Sequence, residues 1–444
     1  MSDIDTNLNN TEELSATKNV RLKCDTEGER DVLFSDNTKS KTKLDSNEDL
    51  PLATAGKPSS ATPSPRDSAP KTPECHTDSI LLTQNQRKFN CIDLFCGCGG
   101  LSKGFLDAGY NVLLGIDFDD AALKSFEKNH GGAKALKLDL FNHNNISIIT
   151  DYLEENNLIL DVLIGGPPCQ GFSIAGPRNK DDKRNRLYSA MVKLACKTKP
   201  KAILLENVPG MLQTNGGIGA KRIVEDFKEI GYLMIPKLLY APDFGIPQIR
   251  KRVFFVGLRD NDKTFEFPKP ILDKEHYITC EQAISDLPAL KDIYGEEIQN
   301  YPCPPQSEYQ RLMRSNSKEI HNHIGTIHDE KTLKFLAMIP EGKNYKALPK
   351  EYEGIYKYHE ALTRYHSQKP SLTINTCHRS HFHYKYDRIP TVRENARLQS
   401  FPDDFIFYGT KAQQYRQVGN AVPPLLGKAI AKQLKKYLEQ EDHD

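Results

Sequence analysis

Between Asn90 and Asn207, short apolar runs alternate with stretches of helical spacing. CIDLF (Cys91 to Phe95) reads as a buried strand followed by glycines. LSKGFLDAG then sets Leu101, Phe105 and Ala108 on one helical face and stops at Gly109. NVLLGID (Asn111 to Asp117) is the next strand, and DDAALKSFEKNHGG a helix with Asp119 or Asp120 near its start. KALKLDL, LDVLIGG and AILLEN continue as strands, ISIITDYLEEN and RLYSAMVKLACKT as helices. This rhythm demands βαβ units and a mostly parallel sheet. KRVFFVGL (Lys251 to Leu258) adds one more strand near the end of the layer.

The flanks are different. Residues 1–88 are rich in Ser, Pro, Thr and charged side chains, with apolar residues too sparse to offset chain entropy, so a disordered tail is expected. It is either a tether or a solvated extension. From about Asp260 to Arg388 the alternation breaks, and His, Tyr, Pro, Lys and Arg accumulate. PPLLGKAIAKQLKKYLEQ then returns to helical spacing, with Leu426, Ile430, Leu434 and Leu438 on one face. The expected organisation is a tail (1–88), a first domain (89–259), an irregular domain (260–390), and a segment (391–444) whose last helix returns to the first domain.

The net charge of +1 announces no nucleic acid, although a balanced total can hide a basic groove. None of the ten cysteines forms a Cys-x-x-Cys pair, which argues against zinc. No signal-peptide core and no membrane-length apolar run is visible, so a soluble intracellular protein with reduced thiols is expected.

In an open parallel sheet, ligands bind beyond the carboxyl ends of the strands. The first strand here runs into Gly97, Gly99 and Gly100, where the backbone can turn tightly and approach a ligand. Ser102 stands where a dinucleotide fingerprint needs its third glycine. Asp117 ends the second strand, where a carboxylate can accept from a ribose diol. Asp139 ends the third, within reach of an adenine amino group. Each aspartate alone also fits a helix cap or turn. Together they fit an adenosine-type ligand without a pyrophosphate, namely S-adenosylmethionine.

The fourth strand ends in GGPPCQGFS. Core cysteines sit inside apolar runs, whereas Cys169 follows the stiff Pro167-Pro168 pair and precedes Gln170-Gly171. Such a turn can hold a thiolate nucleophile above the sheet edge. Glu206 ends the fifth strand, where a carboxyl could hold a ring nitrogen or pair with a nearby base. GIPQIRKRVFFVG places Gln248, Arg250 and Arg252 on one face of a strand. Arginines there orient the glutamate, bind phosphate or stay solvated.

With these residues in hand, the chain from about Asn90 to Leu438 resembles the C5-cytosine DNA methyltransferases of prokaryotic restriction-modification type. DLFCGCGGLSKGF, GGPPCQGFS, ENV, QIRKR, RENARLQSFPDDF and QVGNAVPPLL occur in that family's order and approximate spacing. The resemblance implies an α/β fold: a Rossmann-like S-adenosylmethionine-dependent methyltransferase domain with a smaller, irregular target-recognition domain. It implies that Phe95, Gly97, Gly99, Gly100 and Leu101 line the methyl-donor site. Asp117 would bind the ribose, Phe118 would lie against the adenine and Asp139 would meet its edge. Leu140 and Pro168 would complete the pocket, and Asn420 and Ala421 would close it.

By the same resemblance, Cys169 would add to C6 of cytosine while Glu206 holds N3. Arg250 would fix the base carbonyl, and Arg252 would support the sulfur and carboxylate. The target must be flipped out of the duplex. Ser173 and Arg184 would contact the DNA from the loop after the cysteine, or that loop is a solvated surface. Region 260–390 would read the site, with Thr373-Ile374 in the family's recognition element. HRSHFHYKYDR, including Arg379, would supply base and phosphate contacts and aromatic packing. His378, His381 and His383 have no standard metal-ligand spacing, so no metal is expected. RENARLQSFPDDF would be scaffold.

The implied partners are double-stranded DNA and, functionally, a restriction endonuclease that cuts the same site. The implied state is a monomer in the bacterial cytoplasm, at the nucleoid and away from membranes. Two rival readings remain: a tRNA cytosine-5 methyltransferase on the same core, and a non-catalytic DNA-binding relative. An intact set of Cys169, Glu206 and Arg250 argues against the second rival.

Overall fold

The alternating runs fold as strands and helices. The computed structural model describes residues 87–168, 187–259, 264–290, 294–349, 362–377 and 380–441. The strands are β1 (Asn90–Leu94), β2 (Asn111–Asp117), β3 (Lys134–Lys137), β4 (Val162–Gly165) and β5 (Ala202–Asn207). Helices α1 (Gly100–Asp107), α2 (Asp120–Asn129), α3 (Ile146–Glu155) and α4 (Tyr188–Thr198) lie between them in the chain. Asp119 caps α2 by accepting from the amides of Ala121 and Ala122. All pairings among these five strands are parallel.

Between β5 and Asp260 the sequence pattern marks only the strand at Lys251 to Leu258. This stretch forms α5 (Gly210–Gln213), α6 (Ile218–Glu229), β6 (Tyr232–Tyr240) and β7 (Lys251–Arg259). β7 runs antiparallel between β5 and β6, so the sheet order is β3-β2-β1-β4-β5-β7-β6. Pro236 lies inside β6, which masks the strand in the sequence. An edge strand tolerates it because one side of the ladder is unpaired.

Period-two alternation sends neighbouring residues to opposite faces. Leu163, Ile203 and Leu205 pack with α3, α4 and α6, whereas Val162, Ile164, Ala202 and Leu204 pack with α1 and the last helix. That helix, α12 (Pro424–Glu441), buries Leu426, Ile430, Leu434 and Leu438 completely. Its backbone meets α1 at two glycines. A Cβ at Gly104 would lie 2.5 Å from the Lys428 nitrogen, and one at Gly427 would lie 2.9 Å from the Leu101 carbonyl. Only glycine permits so close a crossing.

Beyond β7 the elements are short: α7 (Cys280–Ile284), β8 (Ile298–Gln299), α8 (Glu308–Met313), β9 (Ile320–His321), α9 (Glu330–Met338), β10 (Thr363–Arg364) and β11 (His381–Phe382). Then come α10 (Val392–Leu398), α11 (Lys411–Asn420) and α12 (Pro424–Glu441). An apolar cluster joins Ile284, Tyr309, Tyr365, Ile374, Ala396, Phe401, Phe405 and Val418 with Cys98 of the loop after β1.

Charge fills much of the rest. Arg397, fully buried, bonds both Asp286 and Asp403. Arg393, equally buried, donates to the carbonyls of His321, Pro402 and Phe405. The RENARLQSFPDDF stretch is therefore a polar brace around which short elements assemble.

The histidine-rich tract departs from its expected outward role in the residues described. Arg388 makes a two-bonded pair with buried Glu394. His381 stacks on Tyr365, and His383 on Tyr384. Burial pushes both imidazoles down, to about 4 for His381 and about 3 for His383, so they pack as neutral rings. These groups face the interior because Glu394 and the aromatic cluster draw them in. No helix among the described residues is long and apolar enough to cross a membrane.

Candidate active site

The carboxyl ends of β2, β1, β4 and β5 lie side by side, and β1 and β4 are where the strand order reverses. A crevice forms at such a point because neighbouring connections leave on opposite faces. After β1 the chain turns through Phe95 and Gly97 at φ 61° and 54°, then Gly99 at φ 89°. The Gly97 amide donates to the Asp117 carboxylate at 2.9 Å, which ties this loop to the end of β2. The other Asp117 oxygen accepts from the amides of Phe118 and Asp119. Burial outweighs these bonds and raises the Asp117 carboxyl above its ordinary range.

Above this loop the space is open: a Cβ at Gly97 would meet nothing within 4 Å. Phe118 is 72% exposed beside Asp117, an uncovered ring next to a carboxylate. Asp139 lies two residues past β3 rather than at its end. It is exposed and accepts from the Phe141 amide, while Leu140 is buried. Leu101 is buried at the start of α1. The far end of the chain returns here. A Cβ at Gly100 would fall 2.4 Å from the Val422 carbonyl and 3.0 Å from the Ala421 Cβ. Asn420 ends α11 exposed, next to this contact.

One residue was not singled out from sequence. Asp93 lies inside β1, almost fully buried, and its Oδ2 has no hydrogen-bond partner. Burial pushes its carboxyl up to about 7. Its signal was legible, since it is an acidic residue inside an apolar strand that enters a glycine turn.

The second half of the site follows β4 and β5. Gly166, Pro167 and Pro168 leave β4, and the Asn207 amide holds the Pro167 carbonyl at 3.1 Å. Glu206 is brought against this turn: a Cβ at Gly166 would lie 3.2 Å from Glu206 Oε2. Its Oε1 pairs with Arg252 Nε at 2.9 Å. Burial raises the Glu206 carboxyl, with Arg252 and Arg250 opposing that shift. Cys169, Ser173, Arg184 and Arg379 lie outside the described residues.

Arg250 differs from its expected position toward a base carbonyl. It is 1% exposed, and both terminal nitrogens serve backbone carbonyls: Nη1 reaches Ile374, and Nη2 reaches Gly419 and Ala421, each at 3.0 Å. Of the two guanidiniums, only that of Arg252 pairs with the carboxylate. Thr373 donates its hydroxyl to the Ile249 carbonyl, and Ser371 bridges to Gln248. The 371–374 segment is therefore docked on the strip that precedes β7.

The model of C-5 cytosine-specific DNA methylase matches residues 89–436. A type II methyltransferase of Desulfomicrobium norvegicum, M.DdeI, is 37% identical over 384 residues, covering 79% of this chain and 89% of that protein. M1.HphI of Haemophilus parahaemolyticus, also a type II methyltransferase, is 36% identical, covering 79% and 87%. Among solved structures, a prophage-encoded DNA modification methyltransferase of E. coli superposes with a TM-score of 0.67 at 28% identity. That alignment covers 79% of this chain and all of the other.

Proposed function

The chain belongs to the C-5 cytosine-specific DNA methylase family, and from that premise we propose that it transfers a methyl group from S-adenosylmethionine to C5 of a cytosine flipped out of a short duplex site, through a covalent bond between Cys169 Sγ and C6. The chain is a DNA cytosine-5 methyltransferase of restriction-modification type. The observation that carries the finer reading is the Glu206–Arg252 pair, its side chains 12% and 15% exposed, set against the Gly166–Pro168 turn, one residue before Cys169.

The donor end fits an adenosine-bearing cation. Phe95, Gly97, Gly99, Gly100 and Leu101 would form its floor, Asp117 would take the ribose hydroxyls, and Phe118 would cover the adenine. Asp139 and Leu140 would border the adenine edge, with Pro168, Asn420 and Ala421 at the opposite wall. The open space over Gly97 and the uncovered Phe118 ring support this fit. When bound, S-adenosylmethionine supplies a methyl group on a sulfonium, an electrophile that unactivated cytosine C5 attacks poorly.

This chain's residues provide the activation. The Cys169 thiolate adds to C6, forming a C–S bond and moving electron density to C5. Glu206 keeps a proton at N3, which accepts the charge developing in the ring; its raised pKa suits that role. Arg252, beside the carboxylate, fixes it and meets the base carbonyl. Arg250, engaged by three carbonyls, acts as a positioning residue instead. After methylation a base takes the C5 proton and the C–S bond breaks, returning the thiolate. The rigid Pro-Pro approach sets the attack distance, and such positioning dominates the gain from a bound nucleophile.

Region 260–390 would read the target, with Thr373 and Arg379 in contact with DNA. Ser173 and Arg184 would touch it from the loop after Cys169. Flipping the base costs a few kcal/mol. In the cell the modification would protect host DNA from a nuclease that cuts the same site. Covalent trapping tests the proposal. Duplex DNA carrying 5-fluorocytosine in many contexts is mixed with protein and S-adenosylmethionine. A denaturation-resistant adduct, absent in Cys169→Ala, is expected, and no adduct from active protein would overturn the mechanism.

A further inference from the structure

Two glutamines that the mechanism does not use form a buried, one-way hydrogen-bond chain between the two halves of the site. Gln248 and Gln399 are both fully buried. Gln399 Nε2 donates to the Ala421 carbonyl at 2.6 Å, and Gln399 Oε1 accepts from Gln248 Nε2. Gln248 Oε1 accepts from the Ile374 amide at 3.0 Å. Arg250 closes the circuit from the other side, bonding the carbonyls of Ile374 and Ala421.

The orientation of each amide is forced. The Ala421 carbonyl can only accept, so Gln399 must turn its nitrogen there and its oxygen to Gln248. Gln248 must then turn its nitrogen to Gln399 and its oxygen to the Ile374 N–H. A misplaced group anywhere leaves a buried polar atom unpaired, which destabilises that arrangement. The circuit therefore has one satisfied arrangement, and its two ends are the 371–374 segment and the Ala421 wall against Gly100.

We propose that Gln399 is a positioning residue that couples occupancy of the recognition segment at Thr373-Ile374 to the methyl-donor pocket, so that duplex DNA and donor bind cooperatively. The inference rests on the reading that these two segments face DNA and donor. A shift of Ile374 toward DNA moves the Gln248 oxygen, and Gln399 passes that movement to Ala421. Coupling between sites is reciprocal, so the donor strengthens DNA binding by the same factor.

The test uses the full chain and a duplex recovered by the trapping experiment. The dissociation constant of S-adenosylmethionine is measured with and without that duplex. In the wild type, duplex is expected to tighten donor binding about tenfold, within the usual range for coupled sites. In Gln399→Met and Gln399→Glu the factor is expected to fall below about twofold, while each variant still forms the 5-fluorocytosine adduct at saturating ligands. An unchanged factor in folded variants, or no coupling in the wild type, overturns the proposal. Hydrogen exchange on the wild type gives a second readout that needs no variant. S-adenosylhomocysteine alone is expected to slow exchange at Ile374, and no change there also overturns it. If the wild type forms no adduct, the reading beneath the inference fails instead, and the two failures are distinguishable.

Discussion

The sheet and the region beyond it solve the problem of burial in opposite ways. The sheet is closed by apolar side chains that alternate along each strand, and it carries only a few buried charges, such as Asp93 and Asp161. The 264–407 region has short elements and relies on fully buried arginines, each satisfied by several distant partners. In the first, burial drives the assembly and charge is confined to a few positions, one of them Asp161, which ties Arg87 to the start of β4. In the second, charge is the assembly. A buried pair is weak evidence of net stability, but removing one partner is costly because the other stays buried and alone.

That difference can be broken most strongly at Arg397. Arg397→Met should leave Asp286 with Arg314 as its remaining cation and Asp403 with Tyr301 and the more distant Arg393, and cost about 3–5 kcal/mol, read as a drop in urea midpoint. A comparable loss from truncating one apolar sheet residue would be an ordinary cavity effect. A loss under about 1 kcal/mol at Arg397 would mean the network is decoration. Next comes Glu206→Gln, which should lower methyl transfer about a hundredfold, the lower end of what a positioned acid contributes. Because the wild-type carboxyl holds its proton to higher pH, activity should fall as pH rises through that shifted value. The variant should lack this limb. A variant that retains it would move the titration to another group.

A smaller effect is expected where α1 crosses α12. Gly104→Ala should cost about 1–3 kcal/mol by overpacking two backbones, while Gly131→Ala should do less, since its Cβ would meet nothing within 4 Å and its backbone is not in the left-handed region. Equal losses at the two would remove the close-crossing argument.

The mildest perturbation is pH itself. The carboxyls of Asp93, Asp117 and Glu206 are raised, so the stability their titration contributes is full below their unfolded values and lost as pH rises through the folded ones, about 7 for Asp93. Those of Glu394 and Asp403 are lowered, so their contribution is present above the unfolded values and lost as pH falls through the folded ones. Moving from pH 7.5 to 5.5 should therefore strengthen the strand ends slightly and leave the arginine network unchanged. Hydrogen exchange corrected for intrinsic rates would resolve the two. Parallel behaviour of both regions would contradict the contrast.

The same contrast explains what could be read from the sequence. β1 to β5 were legible because strand and helix periods are local, and Asp117, Glu206 and the glycine turn lay at strand ends that those periods located. β6 was missed because Pro236 interrupts its pattern, and its tolerance depends on a sheet position that no local window contains. The partners of Arg250 and Arg388 were not legible for a related reason. Nothing near Arg250 announces Gly419 and Ala421 as its partners, and a basic, aromatic tract such as His378 to Arg388 looks the same whether it faces DNA or a buried glutamate. Gln248 was noted for its place in a strand, but Gln399 carried no signal at all, since one buried amide is recognised only by the groups it satisfies.

The return of α12 to α1 also sets an order of events during synthesis. The Tyr110 hydroxyl bonds the Ala431 carbonyl across 321 residues. On the ribosome, the glycine turn is among the first parts of the sheet to emerge, yet its covering layer and the Ala421 wall are among the last. A partly translated chain has a bare α1 and an unfinished pocket. The enzyme therefore acquires its chemistry in one late step, after the 264–407 region has already been made.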